Sequence, residues 1–149
     1  MRRWQQATAM VLFAQLVFMQ GCALAGGKSL KIDTRHMVGV QNMQSEISSM
    51  LEGLGYERQP VRDHATGQPV QVTEENGQYR MLFRAADKVS VQIEVHIRKD
   101  NKMTGLHFSE AGSDQPGAAA MDYYRKLKER AVLEFGAENV SDKHSFMTP

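Results

Sequence analysis

Glu94, His96 and His107 are the side chains of this chain best suited to chemistry, and the residues around them decide which could meet. Val89, Val91, Ile93, Val95 and Ile97 alternate strictly with Ser90, Gln92, Glu94, His96 and Arg98. That alternation marks a strand with one apolar and one polar face. A second strand is expected over 103–108, after an Asp100-Asn101 turn. A two-residue turn there pairs Ile97 with Thr104, Val95 with Leu106 and Ile93 with Phe108. Glu94 then stands opposite His107 on the polar face, in the form of an acid–base pair. His96 lies diagonal to His107, so the three side chains are weak candidates for a metal site. The plainer reading is preferred. A meander with one solvated face displays mixed charges, and each cross-strand opposite-charge pair contributes only about 0.2–1 kcal/mol. No catalytic residue, metal or cofactor is therefore expected.

The neighbouring strands follow from the same logic. Asn76-Gly77 signals a tight hairpin between strands over 68–73 and 78–85, pairing Val72 with Met81 and Val70 with Phe83. A three-residue loop at Ala86-Asp87-Lys88 would pair Phe83 with Val91, Met81 with Ile93 and Tyr79 with Val95. Apolar meets apolar throughout, apart from Thr104, and a one-residue slip would mix the faces. The polar face then shows a row of Thr73, Arg80, Glu94 and His107, flanked by Arg84, Gln92, His96 and Arg98. Arg80 beside Glu94 would keep the carboxylate charged. Leu82 falls on this face between Gln71 and Gln92. Arg80, Leu82, Gln92, Glu94 and His107 form the expected partner surface.

Two helices must cover the apolar face. Met43, Ile47, Met50, Leu51 and Leu54 recur at helical spacing over 43–54, with Asn42 as N-cap and Gly55 as terminator. Ala120, Tyr123, Tyr124, Leu127, Ala131 and Phe135 make the stripe of a second helix over 116–135, which Asp114 or Ser113 would cap and Gly136 would stop. Pro60 suits an edge strand over 56–61, and His64-Ala65-Thr66-Gly67 a turn. Residues 30–40 are ambiguous, with Leu30 and Ile32 alternating as in a short edge strand. Residues 137–149 look loosely held, with Val140 packing back. The fold class expected is α+β: a two-layer sandwich in which an antiparallel meander of four or five strands is flanked in sequence by two helices packed on one face. A pocket between helices and sheet, lined by Tyr123 or Tyr124, is the expected site if the domain binds a small molecule.

The N-terminus carries a different kind of chemistry. Arg2 and Arg3 precede an apolar stretch over about 7–19, and Gln20-Gly21-Cys22 follows. A positive start, a short apolar core and small residues make an export signal, and the core is shorter than the ~20 residues of a spanning helix. The chain has one cysteine. Met19-Gln20-Gly21-Cys22 resembles the lipobox of bacterial lipoproteins. That resemblance implies a diacylglyceryl thioether on Cys22, cleavage before it, and acylation of the new amine by a chain such as palmitate. Ala23 in the position after the cysteine implies an outer-membrane destination facing the periplasm. Ala23-Leu24-Ala25 offers the alternative of ordinary cleavage and a soluble periplasmic or secreted product. The expected organisation is an export signal over 1–21, a lipid-anchor tether over 22–28 and one α+β domain over 29–149.

Removing 1–21 leaves 16 basic against 17 acidic side chains, with no general pull towards nucleic acid. About 127 residues suffice for one core. Gly26-Gly27-Lys28 lacks the strand and spacing of a phosphate loop, and the chain has no G-x-S-x-G, H-E-x-x-H or C-x-x-C motif. The function expected is that of a non-enzymatic accessory or adaptor protein of the bacterial cell envelope. It would be held to the membrane through Cys22 and engage an envelope protein partner. A small-molecule binding module is the alternative.

Overall fold

The computed structural model describes residues 27–37, 39–88 and 90–144. The expected export signal, Cys22 and the expected alternative cleavage site at Ala23-Leu24-Ala25 lie outside these residues, as does Val89. The domain is α+β, with strands β1 (Lys28–Asp33), β2 (Tyr56–Gln59), β3 (Val61–Arg62), β4 (Pro69–Val70), β5 (Thr73–Glu75), β6 (Gln78–Ala85), β7 (Val91–Arg98), β8 (Met103–Glu110) and β9 (Val140–His144). Helix α1 spans Val40–Gly53 and helix α2 spans Ala118–Phe135. The main sheet has seven strands in the order β2-β6-β7-β8-β1-β9, with β5 also paired to β6. Every pairing in it is antiparallel.

The core lies between one sheet face and the two helices. Met81 and Phe83 of β6, Val91, Ile93, Val95 and Ile97 of β7, Leu106 and Phe108 of β8, and Leu30 and Ile32 of β1 are all fully buried. From α1 come Met43, Ile47, Met50 and Leu51, and from α2 come Ala120, Tyr124, Leu127, Ala131 and Phe135. At 14 residues α1 would be marginal in water if isolated. Burial of the two stripes on the sheet supplies what propensity lacks.

The helix ends differ from expectation. α1 starts three residues earlier, at Val40, so Asn42 sits inside the helix and Gly39 is the N-cap, at φ 79°. α2 starts after Gly117, whose N–H donates to the Glu110 carboxylate at 2.8 Å. Asp114 and Ser113 are not its caps, because a carboxylate from β8 satisfies the helix entry instead. Gly55 and Gly136 take positive φ at the two C-terminal ends, where a side chain would be strained. Asn139 adds a side-chain N–H donated to the Phe135 carbonyl at 2.7 Å.

The sheet departs from the expected pairings at two places and keeps them at a third. The Asp100-Asn101 turn gives the expected register between β7 and β8. Between β6 and β7, Phe83 pairs with Ile93, Met81 with Val95 and Tyr79 with Ile97, two residues from expectation. Five residues rather than three join those strands. A two-residue shift keeps every side chain on its own face, so the apolar pattern cannot detect it. The strand expected over 68–73 is broken. Thr73 pairs with Arg80 as the Asn76-Gly77 turn requires, but Val70 pairs with Val61 in a separate two-stranded sheet, and Arg58 occupies the place opposite Phe83. Pro60 marks the break between β2 and β3, because its ring nitrogen has no N–H to donate to a ladder.

The remaining corrections are at the ends of the domain. β1 is not an edge strand, since it lies between β8 and β9. It begins at Lys28, the last residue of the expected tether. Residues 140–144 are not loose, because β9 pairs along β1 from Val140 to His144.

Candidate functional site

The sheet face away from the helices carries the sequence-predicted residues. One row crosses four strands as Leu82, Glu94, His107 and Ser29. The next reads Thr73, Arg80, His96, Gly105 and Lys31. Glu94 is opposite His107, as expected. Arg80 pairs across the ladder with His96 and reaches Glu94 diagonally, because of the two-residue shift. Gln92 stands between Arg84 and Ser109. Leu82 stands between Gln59 and Glu94 rather than between Gln71 and Gln92. It is half-buried.

The acid and the two imidazoles do not converge. The Glu94 carboxylate forms an ion pair with the Arg80 guanidinium and meets His96 Nε2 at 3.0 Å. Its hydrogen bond with His96, opposed by burial and reinforced by the Arg80 charge, holds its pKa down to about 2. A carboxylate that acidic is a poor general base near neutrality. His107 turns the other way: its Nδ1 shares a hydrogen bond of 3.1 Å with Ser29 Oγ. Gly27 packs closely on the same side chain, where a Cβ would come within 2.6 Å of His107 Cε1. Burial pushes the His107 imidazole below its ordinary pKa, and the Glu94 charge only partly offsets this. Among the described residues, no group of three or more His, Cys, Asp or Glu side chains is placed to hold a metal ion. Glu94, Arg80, His96 and His107 are thus engaged with neighbours on this face, whereas Arg84 Nε is buried without a hydrogen-bond partner among the described residues.

Part of this face is covered. The β3–β4 hairpin carries Val61, which is buried yet lies outside the main core cluster. Its Asp63 carboxylate accepts from Thr66 Oγ1 at 2.6 Å and from the Thr73 hydroxyl at 3.4 Å. Thr73, the first member of the expected row, is therefore buried and not available as surface. Arg80, Leu82, Gln92, Glu94 and His107 remain half-buried.

A concave site lies on the other side, where the end of α1, the start of β2, the β6–β7 loop and the first turns of α2 meet. It has a volume of about 510 Å³, and Leu54, Tyr56, Asp87, Ala119, Tyr123 and Lys126 are among its walls. Tyr56 and Tyr123 meet edge to face, with ring centroids 6.4 Å apart at 75°. Tyr124 is not part of it. It is buried against Phe108, with centroids 5.5 Å apart, and its hydroxyl donates to Asp142 Oδ1 at 2.5 Å. A larger depression of about 640 Å³ beside the start of α1 is walled by Gly39, Asn42, Val72 and Tyr79, among others. Of the two tyrosines that the α2 spacing singles out, Tyr123 lines this cavity and Tyr124 does not. Tyr56 and Asp87 have no motif around them, and the one available signal is that Tyr56 shares the parity of the inward-facing positions of its strand.

Comparison with family models, with curated proteins and with solved structures found no match to this chain.

Proposed function

We propose that this chain is a lipid-anchored, periplasm-facing accessory or adaptor protein of the bacterial cell envelope, without enzymatic activity of its own. The observation that carries this reading is the state of the polar sheet face. Its acid and its two imidazoles are engaged by neighbours: Glu94 by Arg80 and His96, and His107 by Ser29. Such an arrangement fixes the side chains in place and presents a pre-ordered polar surface, which favours recognition over turnover. Leu82 sits within it as the apolar centre of the Gln59–Leu82–Glu94 row. An aliphatic side chain ringed by fixed polar groups is the usual anatomy of a contact patch, with an apolar centre and a polar rim.

The anchor rests on the lipobox resemblance at Cys22. Cys22→Ala is expected to move the protein from the membrane fraction to the soluble fraction after cell lysis. Membrane association unchanged in that variant would rule out the lipid. For the surface, a photo-crosslinking residue placed at Leu82 in living cells is expected to give a discrete adduct with an envelope protein. The same probe at exposed Leu133, on the far side of α2, is expected to give none. Equal labelling at both positions, or none at Leu82 with normal expression and location, would refute the sheet face as the working surface.

A further inference from the structure

Residues 61–70 form a small sheet of their own on the polar face. β3 and β4 pair only with each other, Val61 with Val70 and Arg62 with Pro69. The turn between them is bonded mostly to itself. The Asp63 N–H donates to the Gln68 carbonyl at 2.9 Å, and the Gly67 N–H donates to the Asp63 carbonyl at 2.8 Å. The Asp63 carboxylate accepts from the Thr66 N–H at 3.0 Å and from the Thr66 hydroxyl at 2.6 Å. A hairpin closed on itself in this way can shift without breaking its own bonds.

Little holds it to the rest of the domain. Val61 is its one buried residue, while Arg62 and residues 64–69 are all exposed. The Thr73 hydroxyl donates to Asp63 at 3.4 Å, and His64 Nε2 meets the Glu75 carboxylate at 3.0 Å. The first contact is long, and the second joins side chains 61% and 39% exposed, where ion pairs contribute little. The chain enters the hairpin through Pro60 and leaves it through Gln71, both exposed and outside any strand. Segments with so few buried apolar contacts are the ones that open locally. Beneath the hairpin, buried Thr73 pairs with Arg80, whose row continues to His96. Beside them lies a shallow hollow of about 290 Å³ walled by Glu75, Asn76, Gln78, Arg80 and His96. We propose that the β3–β4 hairpin is a hinged flap, which lifts from the polar face as one unit and uncovers Thr73 beside this hollow while the main sheet stays paired. The closed form dominates because lifting brings Val61 into water. The motion follows from how the hairpin is attached and does not depend on the adaptor reading.

Val61→Cys puts a thiol under the flap, and Val95→Cys puts one in the core on β7. A slow thiol reagent applied to the full chain, read at each cysteine by peptide mass, reports how often each site is uncovered, with Cys22 counted separately. Val61→Cys is expected to label about a hundredfold faster than Val95→Cys, with little dependence on dilute urea. Val95→Cys is uncovered only by global unfolding, so its labelling is expected to rise steeply with urea. Adding His64→Ala and Thr73→Ala removes both polar attachments and is expected to widen the ratio of the two rates about tenfold. Equal rates with equal urea dependence would mean that the hairpin leaves only when the domain unfolds, and would overturn the proposal. So would a ratio unchanged by the two alanines. Labelling of Val61→Cys as fast as exposed Leu133→Cys would mean that the hairpin is never seated, and would overturn it as well.

Discussion

Phe108→Ala is expected to destabilise the domain by about 3–5 kcal/mol, the usual range for emptying a fully buried aromatic site. Phe108 is fully buried on β8 and packs on the Tyr124 ring of α2. It also faces Ile93 across the ladder on one side and Lys28 on the other. The ring thus joins three strands and a helix, and no neighbour can collapse into the space without giving up its own contacts. Domains of this size have about 5–15 kcal/mol to lose. Urea unfolding of the variant would give the difference directly. A loss below about 1 kcal/mol would mean that the sheet and α2 are not held together at this point.

The second large effect concerns acid. Glu94 has an ordinary carboxylate pKa of 4.5 when unfolded and one of about 2 in the fold. Between those two values the unfolded chain binds the extra proton, so stability rises with pH across that window. The contribution is complete above the unfolded value and lost as pH falls through the folded one. It amounts to about 1–3 kcal/mol once partial exposure is allowed for. Glu94→Gln is expected to remove it at neutral pH and to flatten the acid limb below pH 4.5. His107 adds an earlier step of the same sign. Its pKa is lowered in the fold, so the folded state resists protonation, and stability declines as pH drops below the ordinary imidazole value. Urea midpoints taken across the acid range in Glu94→Gln and the parent would separate the two steps. Identical acid limbs in both would show that the Arg80–Glu94–His96 contacts contribute nothing.

Local chemistry makes the meander readable. Asn76-Gly77 and Asp100-Asn101 close two-residue turns, with Asn76, Gly77 and Asn101 at positive φ, and a turn of fixed length pins its register. The position of Glu94 opposite His107 is therefore legible in the residues alone. The β6–β7 connection has no such pin, and alternation reports only parity, so it is blind to a shift of two residues. That shift moves Arg80 from directly beside Glu94 to a diagonal position, close enough still to form the ion pair. β1 and β9 are illegible for another reason. Their partners lie far away in sequence, and nothing in either segment specifies a distant neighbour. Tyr56 reads as an ordinary strand residue, because lining a cavity is a property of its surroundings and not of its own segment.

The pairing of β1 with β9 sets Lys28 beside His144. The domain is thus a closed circuit, cut once between two adjacent strands. Its beginning and end leave from one corner of the sheet, as in domains that tolerate permutation. A short linker could splice that corner, and a new opening could be made at the exposed His64–Gly67 turn without unpairing any strand of the main sheet. If the proposed lipid anchor is present, a tether entering at Lys28 would act on the whole sheet as a single point of suspension, with β2 at the opposite edge.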